Sequence, residues 1–470
     1  MQPANKPEAA NVIFRFKDLG PIKEAELELG DLTIIAGRNN TGKTYLAYAL
    51  YGFLRIWQEW PGFTGDFFLM DPLLVDTARL IGDAVNAGHA TRKVDRETLS
   101  QERKEMLQRL TRAFSEGVLP TVFSSSQSAF QGASIEVEID ADFPAERECE
   151  FFRSGRVFSI QYDGVDIHMT CGKQEERRVN EQWLSEFYLQ FLFPELSSVP
   201  FVLSAERFGI SLFYKELDFT KNRLVELLQQ MGGDKSRESF SPFLLIDSAA
   251  SRYALPIKDH IDYTRGISDL QTEKSEIFED KLFDDIKDMM SGYYRGLGDD
   301  IQFRSKARKE RSFNIPLHRA SSSARGLSDL YFFLRHVAKK NHLIIIDEPE
   351  SHLDTANQIE FARLMARLVR AGVKVLVTTH SDYIIKEINN LIMLSRSFED
   401  KNKIVKKLKY KKRDFLPAES VRAYVAEDSS LTDCTIDEFG IDMPFFDKTI
   451  NDINRVSNEL ATRVAREGVE

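Results

Sequence analysis

Hydrophobic and polar residues alternate along this chain in two rhythms. Leu32-Thr-Ile-Ile-Ala36 and Leu343–Ile346 are short apolar runs, the pattern of strands covered on both faces. Val373–Thr379 predicts a third such strand. Elsewhere the spacing is helical. Leu46, Ala49, Leu50 and Phe53 share one side of a helix over 44–55, and Ile359, Leu364, Leu368 and Val369 share a side over 355–370. Phe14, Ile22, Ala25, Leu27 and Leu29 form an apolar pattern ahead of the first run. Ala133–Ile139 alternates with period two, and Phe151–Met169 holds strand signals around Ser154-Gly155 and Asp163-Gly164 turns. Pro72–Phe114 reads as helical, with the charged stretch Thr91–Arg109 suited to a solvated hairpin. Further helices are expected at 179–193, Leu212–Met231, Leu270–Met290 and Leu327–Lys339, with a loop at 232–240. At the C-terminus Phe446, Ile450, Ile453, Val456, Leu460 and Val464 share a helical face that needs cover from the core or another subunit.

Chemistry enters where the first apolar run ends. Residues 37–44 read Gly-Arg-Asn-Asn-Thr-Gly-Lys-Thr and fill every fixed position of the phosphate-binding pattern G-x-x-x-x-G-K-[ST]. A strand precedes it and a helix follows, as that pattern requires. Backbone N–H groups from Asn39 to Thr44 would face phosphates at the positive end of the helix dipole. Gly42 permits close approach of the backbone. Lys43 would neutralise β- and γ-phosphate charge, and the Thr44 hydroxyl would reach Mg²⁺. The candidate ATP-binding residues are Gly37, Arg38, Asn39, Asn40, Thr41, Gly42, Lys43, Thr44 and Tyr45.

The run Leu343–Ile346 ends in Asp347-Glu348, at the strand edge where open α/β sheets bind ligands. Asp347 is expected to hold Mg²⁺ with Thr44. Glu348 beside it would orient or deprotonate the attacking water. The alternative for Glu348 is a solvated residue at a strand end. One strand–helix–strand unit later, His380 stands at the next strand tip and would donate to a γ-phosphate; a structural histidine is the plainer alternative. Catalytic candidates are therefore Glu348, His380 and Lys43.

With these residues in place, the chain resembles an ABC-type ATPase of the SMC-like and OLD-like kind (OLD denotes the overcoming-lysogenization-defect nucleases). Gly37–Thr44 resembles Walker A, Asp347-Glu348 the end of Walker B, Asp354 the D-loop aspartate and His380 the switch histidine. Phe16–Ile22 resembles the "NFGPI" opening of such proteins, and Pro200–Gly209 their "YISAER-G" segment, which makes Ser204, Glu206 and Arg207 further candidates. A Q-loop glutamine is not evident. Ser321, Ser322 and Ser323 stand where the signature belongs, although Leu-Ser-Gly-Gly-Gln itself is absent. A plain N-cap for the following helix is the competing explanation. The resemblance implies an α/β fold: an ABC-type P-loop ATPase head with a mixed sheet, flanking helices, an antiparallel β lobe and a helical insertion. With specific motifs over 12–60 and 195–395 and residue patterns elsewhere, the chain is expected to divide into a head segment 1–60, a helical and β insertion 61–200, a helical insertion 201–310, a second head segment 311–400 and a C-terminal segment 401–470. The resemblance also implies a head-to-tail homodimer, open to higher homo-oligomers, with ATP and Mg²⁺ sandwiched so that signature serines reach the partner's nucleotide.

Composition narrows the function. The net charge of −10 gives no global attraction to nucleic acid, so such binding would need a local patch. Lys401–Arg413 is one candidate; a solvated strand pair with Ile404, Val405 and Leu408 inward is the alternative. Arg304–Arg311 is another basic run. Three cysteines without metal spacing favour a reducing compartment. There is no apolar run of membrane-spanning length and no signal-peptide core, so no membrane partner and a cytoplasmic location are expected. No apolar heptad pattern persists beyond three repeats, against a long coiled coil. About seventy residues follow position 400, and Glu427-Asp428 lacks a later acidic cluster for two metals, so no nuclease domain is expected. Nuclease-less OLD-like ATPases are often partnered with separate toxins or nucleases in bacterial anti-phage defence. The resemblance thus implies a nucleotide-gated sensor or scaffold controlling such an effector. The alternative is a DNA-repair or chromosome-maintenance ATPase of the SMC or RecF type; a transporter ATPase lacks a membrane segment and the right signature.

Overall fold

The computed structural model describes residues 11–63, 79–80, 82–84, 86–153, 156–171, 181–213, 253–270, 273–296, 301–305 and 314–467. The chain forms two compact units: Met1–Leu29, Tyr48–Phe201 and Ala254–Pro256 in the first, Gly30–Ala47, Val202–Tyr253 and Ile257–Glu470 in the second.

The first unit opens with the hairpin β1 (Asn11–Leu19) and β2 (Ile22–Glu28). Phe14 lies opposite Leu27 and Phe16 opposite Ala25, so the alternating apolar positions share one buried face. β3 (Leu32–Gly37) and the first residues of α1 (Lys43–Phe63) belong to the second unit; from Tyr48 the helix belongs to the first. There follow β4 (His89–Lys93), α2 (Arg96–Ala113), β5 (Ser134–Asp140), β6 (Arg147–Arg153), β7 (Arg156–Tyr162), β8 (Asp166–Cys171) and α3 (Glu181–Leu192). β5 joins the hairpin in the order β5-β1-β2, and a separate antiparallel sheet runs β4-β8-β7-β6. The core is aromatic. Phe53 meets Phe14 and Phe114 edge-on at 6.0 and 5.3 Å, and Trp57 meets Phe193 at 5.3 Å. The solvated helical hairpin expected at Thr91–Arg109 is not formed. Thr91–Lys93 pairs with β8 as a strand, and α2 buries Leu99, Met106, Leu107 and Leu110. Charged residues there mask a helix with a buried face. Even Arg103 is buried, pairing with Glu195 at 2.7 Å.

The second unit contains Val202 and Leu203 of β9 (Pro200–Leu203), most of α4 (Leu255–Gly266), and α5 (Asp280–Met289). A small sheet follows, β10 (Gly292–Arg295), β11 (Gln302–Ser305) and β12 (Asn314–Pro316). Then come α6 (Ser322–Gly326), α7 (Ser328–His336), β13 (Leu343–Asp347), α8 (Thr355–Arg370), β14 (Lys374–Thr379) and α9 (Asp382–Ser395). The chain ends with α10 (Lys401–Lys407), β15 (Val421–Glu427), β16 (Ser430–Asp433) and α11 (Pro444–Glu467). The main sheet of this unit runs β16-β15-β3-β14-β13-β9. β15, β3, β14 and β13 are parallel, while β16 is antiparallel to β15, so the sheet is mixed as expected. Every residue of β3 and β13 is buried, which explains their unbroken apolar runs.

Several sequence expectations change here. Lys401–Lys407 is helical rather than half of a strand pair, and Ile404 and Leu408 are exposed rather than inward. Part of the basic run is also neutralised. Arg413 pairs with Asp285 at 2.6 Å, and Lys411 approaches the same carboxylate at 3.4 Å. The helix expected at Leu327–Lys339 forms as α7 (Ser328–His336), with the short α6 (Ser322–Gly326) ahead of it. Within Leu270–Met290, only Asp280–Met289 forms an α-helix among the described residues. Most of Leu212–Met231, the 232–240 loop and the basic residues after Arg304 lie outside the described residues.

Candidate functional site

The site is built from the second unit alone. Parallel β3, β14 and β13 present their C-terminal tips in that order, so the tip of β14 stands between the glycine loop and Asp347-Glu348. Gly37 ends β3 with φ +153°, and an added Cβ would stand 2.5 Å from the Ala426 carbonyl, so only glycine fits. Asn40 and Gly42 take φ +65° and +95°, turning the loop back before α1 starts at Lys43. Lys43 is buried, and its ammonium donates to the Gly37 and Arg38 carbonyls at 2.9 and 2.7 Å. Burial lowers its pKa, opposed by the carboxylates of Glu348, Asp347 and Glu350.

Thr44 closes the site. Its hydroxyl donates to Asp347 Oδ1 at 3.1 Å across 303 residues of sequence. The Thr378 hydroxyl donates to the same oxygen. Asp347 Oδ2 is buried and has no hydrogen-bond partner. Burial pushes the Asp347 carboxyl up to about 6, despite the two hydroxyls that hold it down. A buried, unpaired carboxylate oxygen next to a threonine hydroxyl is the hard-oxygen donor set that suits Mg²⁺.

The turn after β13 is tightly specified. Glu348 has φ +49° and His352 φ +67°, both left-handed without being glycine. Glu348 N–H donates to Thr378, and the Ser351 hydroxyl approaches Glu348 Oε2 at 3.4 Å. His380 Nδ1 lies 4.0 Å from Glu348 Oε1 but 3.0 Å from Glu350 Oε1. Glu350 is buried; it also accepts from the His380 N–H at 2.6 Å and the Thr379 hydroxyl at 2.9 Å. Glu350 therefore fixes the histidine, a role that sequence reasoning missed. The second acid of Asp-Glu-Pro-Glu was its only signal.

Asp354 caps α8, accepting from Asn357 N–H at 2.9 Å. Ser321 caps α6, accepting from Ala324 N–H at 3.3 Å; Ser321 is exposed, and Ser322 and Ser323 are half-buried. Capping thus accounts for Ser321 within this chain, although the capped helix is α6 rather than the longer one expected. Arg207 is fully enclosed. It donates to the carbonyls of Asp347 at 2.8 Å, Glu348 at 2.7 Å, and Pro349 and Ser351 at 3.2 Å each. Desolvation lowers its pKa, opposed by the surrounding carboxylates. Ser204 sits nearby in a buried chain: His260 Nδ1 meets the Ser204 N–H and hydroxyl at 3.2 and 3.0 Å, and His260 Nε2 meets Asp329 Oδ2 at 2.9 Å. Because a backbone N–H only donates, Nδ1 accepts and Nε2 carries the proton to Asp329. Tyr45 is part-exposed at the start of α1, and Arg38, Asn39 and Asn40 are exposed in the loop.

Comparison with known proteins finds an ATPase-domain family over part of the chain. A family described as "AAA ATPase domain" matches residues 220–385, about a third of the chain. That stretch includes Ser321–Ser323, Asp347, Glu348, Asp354 and His380 but not the 37–44 loop. Among solved structures, the chain is similar to an Smc head bound to the C-winged helix domain of ScpA (12% identity, TM-score 0.33, covering 90% of this chain and 96% of that one). It is similar to an Smc head with an extended coiled coil bound to the C-terminal domain of ScpA from Pyrococcus furiosus (13%, 0.31, 95% and 100%). It is also similar to the SMC head domain from Thermotoga maritima (12%, 0.30, 91% and 99%). Curated protein sequences give no match. No helix among the described residues is long and apolar enough to cross a membrane.

Proposed function

We propose that this chain binds ATP with Mg²⁺ and hydrolyses it. One observation carries the reading: the Thr44 hydroxyl lies 3.1 Å from Asp347 Oδ1, while the carboxylate's other oxygen is buried and unpaired. A phosphate loop and an acidic strand tip are thereby joined as one cation-binding pair. Gly37–Tyr45 would wrap the phosphates, with Lys43 released from its loop carbonyls to face the γ-phosphate. Mg²⁺ on Thr44 and Asp347 would neutralise phosphate charge. Glu348 would accept the proton of the attacking water. His380, held by Glu350, would donate to the γ-phosphate. Ser321–Ser323 would complete the site of a second copy, with Asp354 beside that contact, giving a head-to-tail homodimer with two sandwiched nucleotides.

In this reading ATP closes the dimer, hydrolysis opens it, and a separate effector, a nuclease or toxin of anti-phage defence, responds to the state. The resemblance of the motif set supports that part. Capture of partner proteins with Glu348→Gln in the native host tests it; if only DNA is retained and DNA stimulates turnover, the chromosome-maintenance reading replaces it. The nucleotide chemistry has its own test. Lys43→Ala should abolish ATP binding, and Glu348→Gln should keep ATP bound while turnover falls about 10²- to 10³-fold. Unchanged affinity in the first, or normal turnover in the second, removes the corresponding assignment.

A further inference from the structure

We propose that Arg207 is a positioning residue for the Glu348 carboxylate, acting through the backbone of the turn that carries it; this rests on the reading of Glu348 as the group that activates water. The turn has a built-in problem. Asp347 through Ser351 must leave a buried strand and reverse within a few residues, with Glu348 in a left-handed conformation (φ +49°) that is unfavourable for a non-glycine residue. Such a conformation persists only where its surroundings enforce it. One guanidinium supplies that enforcement. Nη1 donates to Asp347 O, and Nη2 to the carbonyls of Glu348, Pro349 and Ser351. A planar fork of donors fits these divergent carbonyls; a lysine ammonium on a flexible stem does not span them. Among the described residues its hydrogen-bond acceptors are all backbone carbonyls, so the guanidinium serves backbone geometry.

Arg207 is itself held from two sides. Nη1 reaches back to Ser204 O at 3.3 Å, and Ser204 is tied through His260 to Asp329 of α7. Next in sequence, Phe208 lies under the Arg325 guanidinium at 4.2 Å and against the His352 ring at 4.6 Å. The clamp on Glu348 is therefore continuous with α6, which carries Ser322 and Ser323, and with α7.

The test uses the full chain and four variants: Arg207→Lys, Arg207→Ala, Glu348→Gln and the double variant Arg207→Lys/Glu348→Gln. Misplacing a reacting group by about 1 Å costs roughly 10²-fold in rate, so Arg207→Lys should lower kcat about 10- to 100-fold. ATP affinity should stay within about 3-fold, because the phosphate loop is untouched. In the Glu348→Gln background, with residual turnover read under single-turnover conditions, Arg207→Lys should add less than about a 2-fold loss, since a residue acting only through Glu348 has nothing left to position. Arg207→Ala is expected to melt early, and the lysine variant keeps the question answerable. Wild-type kcat in Arg207→Lys, or the same fold-loss with and without Glu348, overturns the proposal. If wild type hydrolyses ATP and Glu348→Gln does so far more slowly, either result removes the positioning role alone. A wild-type chain without ATPase activity removes the underlying reading as well.

Discussion

Two segments of the second unit are expected to touch nucleotide, and they are built in opposite ways. The turn Asp347–Ser351 is enclosed, with Asp347, Pro349 and Glu350 buried and Glu348 and Ser351 half-buried. Its carbonyls go to Arg207, and its side chains to Thr44, Thr378, Thr379 and His380. The serine segment is open. Ser321 caps a five-residue helix and is otherwise exposed. Groups that must hold a metal and a water to a few tenths of an ångström need rigid neighbours. Groups that meet a ligand brought by another molecule need access instead. The contrast is what a site completed by a second copy would look like: one half finished within the chain, the other presented outward.

The sharpest way to break this comparison is at Ser321. Capping and phosphate contact are separable there, because aspartate caps a helix as well as serine while repelling phosphate. Ser321→Asp should leave the melting temperature unchanged and lower turnover about 10- to 100-fold. Mixed with Lys43→Ala copies, it should regain up to about a quarter of wild-type activity, since half of randomly paired dimers would hold one intact site. Full activity in Ser321→Asp alone would leave the serine as a cap and nothing more. Activity that no mixture restores would confine each site to one chain.

On the enclosed side the expected effect is smaller and depends on pH. Asp347 has a folded pKa of about 6, above its ordinary value, because burial disfavours its charge. A carboxyl shifted upward binds protons more readily folded than unfolded. Its contribution to stability is present below about pH 4 and lost as pH rises through about 6. Without nucleotide and with chelator, Asp347→Asn should therefore gain on wild type between pH 4.5 and 7.5, by at most about 2 to 3 kcal/mol. With Mg²⁺ and ATP the order should reverse, because only wild type gains from binding. Parallel melting temperatures across that range would show that Asp347 is not under this strain.

The strands that make the sheet and the loop that makes the phosphate cradle are both legible in sequence because each has a local cause. Total burial forces unbroken apolar runs such as Leu343–Ile346, and φ values that only glycine takes comfortably fix Gly37 and Gly42. Arg207, Glu350 and His260 are different. Their partners lie tens to more than a hundred residues away, so the Pro200–Gly209 segment marks Arg207 and the second acid of Asp-Glu-Pro-Glu marks Glu350 without revealing what either holds. The same ambiguity explains α2, where arginine and glutamate hide a helix with one buried face, and β4, whose strand exists only because β8 pairs with it.

The C-terminal helix carries the remaining contrast. Its apolar face was expected to be covered, yet Ile453, Val456, Leu460 and Val464 are 62, 53, 57 and 70% exposed; the side chains of Phe446 and Ile450 lie outside the described residues. Spacing of this kind identifies a face but not what covers it. If nothing covers it in solution, Ile453→Glu with Leu460→Glu should shift stability by no more than about 0.5 kcal/mol, as for other surface changes. A loss of several degrees in melting temperature would instead mean that the face is buried in the working protein. Repeating the measurement across a hundredfold range of protein concentration would then separate the two kinds of cover. A loss that grows with concentration points to a second chain, because association stabilises by mass action. A constant loss points to this chain folding onto itself.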